Sequence, residues 1–298
     1  MTEIQQEIPN NRPHALITGA HGMLGRFLCN QFSEKYNVTT LGLNQQNDIV
    51  CDLSSEAPQL PDIDFSVVVH AAGITHDKNA YNINTAITQN LCQSLSNKGI
   101  NPDIVFISSA AIYGLNSGEN ITEEFPSKPS DSYGKSKLAC EEILATWCNQ
   151  HNVTLSILRP PMILGTGMKG TLRRMVNGIN DGYYFNIKGN TAQRSIVHAK
   201  DVAKAAFLIS SIGGIYNITD RIDPSVVELA NALAHRINGK RVYSLPKWIV
   251  KFLLPKHLFK KLTNTLTFNC DKLCDTIDFK PENVVRYLLT HQYDENDI

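Results

Sequence analysis

The chain has no Cys-x-x-Cys pair. Its seven cysteines, Cys29, Cys51, Cys92, Cys140, Cys148, Cys270 and Cys274, are scattered and odd in number. That pattern argues against a disulfide frame or a zinc site and predicts free thiols in a reducing compartment. The nine histidines are equally dispersed, so no metal site is expected. No apolar run approaches the length of a membrane span. Residues 1–13 are polar, lack the apolar core of a signal peptide and read as a flexible tail. The expected location is cytoplasmic. Excess charge is also missing: 28 basic residues balance 28 acidic ones. No global pull toward nucleic acid follows, and no nucleic-acid partner is expected. Internal repeats and low-complexity tracts are absent.

What is present is alternation. Ala15–Thr18 reads as a buried strand, Met23–Phe32 as a helix and Val38–Leu43 as a second strand. Ile49–Cys51 and Ser66–His70 follow as strands, Thr85–Lys98 as a helix and Asp103–Ser108 as a fifth strand. A helix beginning near Tyr133 and a strand at Thr154–Arg159 complete the series. Such alternation with apolar strands predicts an α/β fold, a doubly wound parallel sheet covered on both faces. After Pro160-Pro161 the pattern loosens. Helices at 171–180, 202–211 and 226–237 are interspersed with short strands such as Ile215–Ile218. The expected division is a tail (1–13), a dinucleotide-binding domain (14–165) and a mixed region (166–298). That last region contributes late sheet elements and a smaller substrate-binding part.

Thr18-Gly19-Ala20-His21-Gly22-Met23-Leu24-Gly25 follows the first strand and opens a helix. Glycines 19, 22 and 25 suit a turn that receives a pyrophosphate, with backbone N–H groups and the positive helix end facing the anion. The acidic residue that usually follows about 20 residues on is missing. Asn44, at the end of the second strand, has the chemistry to hydrogen-bond a ribose hydroxyl without repelling a 2′-phosphate. No arginine stands at that strand end, and Arg26 is the nearest basic candidate. The cofactor is therefore NAD or NADP, with the choice open. Asp52-Leu53 is either an adenine contact or a plain turn.

Tyr133 and Lys137 lie one helical turn apart, on one face of a helix. An ammonium beside a phenol favours the phenolate, which would bring tyrosine toward proton exchange near neutrality. The spacing alone is weak, because Tyr184/Lys188 and Tyr243/Lys247 share it. The former lies in a Gly-bounded, strand-like stretch, where residues four apart are not adjacent. The latter is interrupted by Pro246. Only Tyr133 runs into a good helical sequence.

Together with Ile107-Ser108-Ser109-Ala110-Ala111-Ile112-Tyr113-Gly114, these motifs resemble the extended short-chain dehydrogenase/reductase superfamily. More narrowly, the chain resembles its NAD-dependent epimerase/dehydratase family, which acts on nucleotide sugars. His70-Ala71-Ala72-Gly73, Asn84, Arg159-Pro160, Arg194 to Val202 and Asp278-Phe279-Lys280-Pro281 extend the likeness over nearly the whole chain. Asp278 stands where the family has Gly.

The resemblance implies a Rossmann fold and a set of roles. Tyr133 is the acid/base, and Lys137 binds the nicotinamide ribose and lowers the tyrosine. Ser109 hydrogen-bonds the reacting oxygen, with Ser108 as the competing assignment. Arg194 pairs with the substrate diphosphate, unless it is a structural ion pair. The cofactor is expected on Gly19, His21, Gly22, Met23, Leu24, Gly25, Asn44, Asp52, Leu53, Ala71, Ala72, Gly73, Lys137 and Pro160. The substrate is expected on Ser109, Tyr133 and Arg194.

The departures narrow the reaction. Relatives that eliminate water carry an acidic pair where this chain has Ala110 and Ala111, so 4,6-dehydration lacks its acid and base. No cysteine stands near Ser109 to support double epimerisation. What remains is hydride chemistry at one carbon, C4 of a UDP- or dTDP-hexose, as an epimerase or a 4-ketoreductase. Surface-polysaccharide sugar synthesis is the expected setting. A non-catalytic NAD(P)-binding regulator of the same fold is the alternative, though such proteins commonly lack the Tyr–Lys pair. The family also implies a homodimer through two helices, one bearing the tyrosine. Residues 246–262 mix Trp248, Ile249, Phe252, Leu253, Leu254, Leu258, Phe259 and Leu262 with five lysines and His257. They read either as an interfacial helix interrupted by Pro255 or, by the resemblance, as a substrate lid. No membrane span is expected.

Overall fold

A computed structural model describes residues 12–75, 77–238 and 242–291. Most of the expected tail lies outside these residues. The first half runs β1 (His14–Thr18), α1 (Met23–Phe32), β2 (Asn37–Gly42), β3 (Ile49–Val50), β4 (Phe65–His70), α2 (Ala80–Lys98) and β5 (Asp103–Ile107). A 3-10 turn (Ala110–Tyr113), β6 (Gly118–Ile121), α3 (Ser132–His151) and β7 (Leu155–Arg159) follow. The rest comprises β8 (Met162–Leu164), α4 (Gly170–Asn180), β9 (Asn186–Ile187), β10 (Ile196–His198), α5 (Ala199–Leu208), β11 (Gly214–Asn217) and α6 (Val226–Asn238). Last come β12 (Ser244–Leu245), α7 (Lys247–Leu253), α8 (Lys256–Thr263), β13 (Leu266–Phe268), α9 (Asp271–Ile277) and α10 (Val284–Thr290).

Seven strands form one sheet in the order β11-β7-β5-β4-β1-β2-β3, and every pairing is parallel. The apolar runs of β1, β4 and β5 are buried because both faces are covered. On one face α1 and α5 enclose Leu28, Phe32, Val202 and Ala206. On the other, α2 and α3 enclose Leu91, Leu95, Leu144 and Trp147. This is a doubly wound sheet. Its strand order reverses between β1 and β4, which opens the crevice where such sheets bind ligands, beyond the carboxyl ends of the strands. A smaller layer of α4, α6 and α10 packs around Leu172, Met175, Leu229, Leu233, Val284 and Leu288.

Local signals account for the main boundaries. Helix α2 starts earlier than Thr85 because Asn79 N–H donates to Asp77 Oδ1 at 2.7 Å and opens a turn upstream. Helix α3 is capped by Asp131, whose Oδ1 accepts from the Gly134 N–H at 2.7 Å. Asp278 takes the left-handed conformation at φ 43° just after α9, which explains glycine's place in the related pattern. Tyr184 stands beside the short β9, and Pro246 precedes α7, so neither alternative Tyr–Lys spacing lies on one helix. No helix among the described residues is long and apolar enough to cross a membrane.

Candidate active site

The glycine loop fills the crevice edge between β1 and α1. Gly19 has φ 73°, and a Cβ there would sit 2.8 Å from the Ala72 nitrogen. A Cβ on Gly25 would lie 2.1 Å from the Gly19 carbonyl oxygen. These two glycines press the β1 turn against α1 and the β4 exit. The α1 cap, Gly22, is extended and makes no side-chain cap bond, so the first-turn N–H groups face outward uncapped. Thr18 Oγ1 accepts from the Ala71 and Ala72 N–H groups at 3.2 and 3.1 Å, and it contacts His70 Nδ1 at 2.8 Å. His70 Nε2 lies 3.0 Å from Thr88 Oγ1. Burial and the Lys137 ammonium pull the His70 pKa down to about 3.

On the adenosine side the expected residues are already engaged. Asn44 Oδ1 accepts from the Gln46 N–H at 2.8 Å, closing a turn. Asp52 Oδ1 accepts from the Ser54 hydroxyl at 2.7 Å and its N–H at 2.9 Å, which holds the carboxyl below its usual range. Leu53 is buried in the core. Arg26 is exposed on α1. Nearby, Asn47 is a residue the motifs did not flag. Its Oδ1 is buried without a partner, and its Nδ2 would lie 3.3 Å from a Cβ on Gly42. An acceptor left open beside the cradle suits a hydroxyl donor such as a ribose.

Ser109, Tyr133 and Lys137 gather at the end of β5. Ser109 caps the 3-10 turn, its Oγ accepting from the Ala111 N–H at 3.2 Å. Tyr133, on α3, stands close enough to Ser109 for that hydroxyl to act on its phenol. Burial holds that phenol above its ordinary value, the nearby Ser109 hydroxyl draws it back, and the Asp131 carboxylate pushes it up. Lys137 Nζ donates to the Ile107 carbonyl at 2.7 Å and stands 4.7 Å from the centre of the Phe106 ring. Burial lowers Lys137 to about 8, against the upward pull of Cys140 and the Glu141 carboxylate. Asn84 braces the group from α2. It accepts from the Ile74 N–H at 2.8 Å and donates to Ser136 Oγ at 2.8 Å.

The two serines separate clearly. The Ser108 hydroxyl is buried and donates to Glu141 Oε1. Glu141 holds Arg159 through Nη2–Oε2 at 2.6 Å and Nε–Oε1 at 3.1 Å. Arg159 also donates to the Tyr113 phenol at 3.1 Å. Ser108 is thus committed to the framework, while Ser109 faces a cavity of about 320 Å³. Glu141 was not flagged by motif. Its signal was its place one turn beyond Lys137 on the same helix face.

That cavity lies between the sheet's carboxyl edge and the smaller layer. Its lining includes Ala110, Ala111, Asp131, Arg194, Lys261 and Leu262. Asp131 is the one acid in the lining and serves as the α3 cap. Arg194 makes no ion pair among the described residues; its Nη2 donates to the Lys261 carbonyl. Pro160 is buried behind this wall, its carbonyl accepting from the Ala110 N–H at 2.9 Å. His198 caps α5, and Asp201 accepts from the Glu282 N–H at 2.9 Å, so both serve the framework.

The sequence model of the NAD dependent epimerase/dehydratase family matches residues 15–219. The chain is similar to the N-acetyl-alpha-D-glucosaminyl-diphospho-ditrans,octacis-undecaprenol 4-epimerase of Escherichia coli O157:H7. The two are 25% identical over 244 residues, covering 76% of this chain and 73% of that relative. The GDP-6-deoxy-D-mannose reductase of Pseudomonas aeruginosa is 26% identical over 241 residues, 73% of this chain and 78% of the reductase. Among solved structures, RMD from Pseudomonas aeruginosa complexed with NADPH superposes with a TM-score of 0.74 at 21% identity. The match covers 93% of this chain and 96% of the other.

Proposed function

Because the chain belongs to the NAD dependent epimerase/dehydratase family, we propose that it carries out hydride chemistry at C4 of a UDP- or dTDP-hexose. The carrying observation is Ser109 at the cavity wall with Tyr133 close enough to act on it, Lys137 one turn further along α3, and alanines, not acids, at the two positions after Ser109. When bound, NAD or NADP supplies or accepts the hydride. The loop from Gly19 to Gly25, with His21, Met23 and Leu24, receives the pyrophosphate at the α1 N-terminus. Asn44, Asp52 and Leu53 flank the adenosine end, and Ala71, Ala72, Gly73 and Pro160 the nicotinamide end. Lys137 exchanges the Ile107 carbonyl for a ribose hydroxyl.

Tyr133 moves the proton at the sugar O4, and Ser109 donates a hydrogen bond to that oxygen as negative charge develops. Arg194, which has no carboxylate partner among the described residues, takes the substrate diphosphate. Ala110 and Ala111 supply neither acid nor base, which disfavours 4,6-dehydration.

Two outcomes share this machinery: a 4-epimerase, which returns the hydride to the same sugar, and a 4-ketoreductase, which does not. Surface-polysaccharide sugar synthesis is the setting proposed for either. The reductase draws support from the missing acid after β2, which leaves room for the 2′-phosphate of NADPH. Purification followed by chromatography of the bound nucleotide discriminates them. Tightly held NAD with interconversion of C4 epimers identifies the epimerase. NADPH consumed stoichiometrically with a 4-keto-6-deoxy sugar identifies the reductase. Failure to bind either dinucleotide would remove both.

A further inference from the structure

Helices α7 and α8 form a short hairpin broken at Pro255, and its outer face is unusual. Phe252, Tyr243 and Trp248 are 90%, 76% and 74% exposed, the three most exposed large apolar or aromatic residues among those described. Trp248 and Phe252 are one turn apart on α7, with Leu253 exposed beside them. A folded chain leaves single apolar residues in water, but a contiguous set marks a contact surface. Lys247, Lys251, Lys256, Lys260 and Lys261 frame this set, all of them exposed. Residues 246–264 contain no aspartate or glutamate, in a chain whose overall formal charge is zero. None of the five lysines makes an ion pair among the described residues.

We infer that this hairpin docks the protein on the surface of an anionic lipid bilayer. Trp248, Phe252 and Leu253 enter the boundary between headgroups and acyl chains, and the lysines meet lipid phosphates. Neither helix has the length to span, so the contact is interfacial. A second copy is a poor occupant, because a two-fold contact would set five lysines against five. The hairpin is held at its other end: Val250 is buried, Asn190 Nδ2 donates to the Leu262 carbonyl at 2.8 Å, and Lys261 and Leu262 line the cavity. Docking therefore brings the cavity mouth close to the membrane plane.

Co-sedimentation of the full chain tests this, using phosphatidylcholine vesicles with and without about 30% phosphatidylglycerol. Trp248→Ser/Phe252→Ser and Lys247→Gln/Lys251→Gln/Lys256→Gln are compared with wild type, and thermal melts check that each variant is folded. The wild type should pellet with the anionic vesicles and be released by high salt. Each lysine removed should weaken binding about fivefold at low salt. The aromatic pair should lower binding at least about tenfold. No pelleting of wild type, or pelleting kept by both variants, overturns the inference. So does an ultracentrifuge dimer that Trp248→Ser/Phe252→Ser dissolves while vesicles stay bare, because the face then serves self-association. The readout needs no turnover, so its failure is distinct from failure of the C4 reading.

Discussion

Glu141→Ala should be among the costliest single substitutions in the chain, and its cost can be worked from geometry. Glu141 and Arg159 form a two-point pair at 2.6 and 3.1 Å, with side chains only 6% and 5% exposed. Removing the carboxylate leaves a buried guanidinium with the Tyr113 phenol as its remaining side-chain partner. Breaking such a pair costs about 3–5 kcal/mol. The Ser108 hydroxyl also loses its acceptor, about 1 kcal/mol more. At about 2–4 °C per kcal/mol, the melting temperature should fall by roughly 8–24 °C. The pair itself contributes much less, because its Coulombic gain is offset by the desolvation of both ions. Glu141→Leu with Arg159→Met should therefore lie within about 2 kcal/mol of wild type. Tyr113 keeps its bond to Asn217 at 2.8 Å in that double variant. Urea unfolding followed by circular dichroism measures all three proteins. A loss under about 1 kcal/mol in Glu141→Ala, or a double variant no better than the single one, refutes the reasoning.

Three further outcomes follow from the titrating groups and the backbone. The folded pKa of His70, about 3, lies below its unfolded value of 6.5, so the unfolded chain binds the extra proton. Stability should drop as pH falls from about 6.5 toward 3, by up to about 5 kcal/mol. His70→Asn should show a smaller change in urea midpoint between pH 7 and pH 4 than wild type. Lys137, at about 8 against 10.5, is a base that folding disfavours in its charged form. Its penalty is present below pH 8 and relieved as pH rises to 10.5, about 3 kcal/mol in all. Lys137→Met should therefore melt no lower than wild type at pH 7, while turnover falls at least about 100-fold. Asp278→Gly should raise unfolding free energy by about 0.5–1 kcal/mol, because glycine tolerates φ 43° without strain; a denaturant titration shows it.

How legible the site was depended on how local each feature is. The α1 limits, Met23–Phe32, follow from the glycine loop and the apolar face behind it. Helix α3 follows from the run from Leu138 to Trp147, while its Asp131 cap emerges only in the fold. Proline and strand pairing removed Tyr243 and Tyr184 as competitors, as the backbone rules anticipated. The misses are tertiary. Lys137 reaches the Ile107 carbonyl, 30 positions away in sequence, a bond that helical spacing does not reveal. Ser108 and Ser109 are indistinguishable as letters. The Glu141–Arg159 pair separates them by engaging one and leaving the other at the cavity. Asn44 closes a turn onto Gln46, a bond that a ribose-binding pattern does not reveal. The second half blurred because β8, β9, β10 and β12 are two or three residues each, too short to show a period.

The central claim is that Tyr133 moves a proton at a C4 oxygen. The direct measurement is turnover of UDP- and dTDP-hexoses and 4-keto-6-deoxy sugars with NAD or NADPH, followed at C4 by proton NMR. Wild type and Tyr133→Phe are compared. The account predicts chemistry confined to C4 and a loss in Tyr133→Phe of about 100- to 10,000-fold with the fold intact. Equal turnover by Tyr133→Phe, or product changed at another carbon, would contradict it.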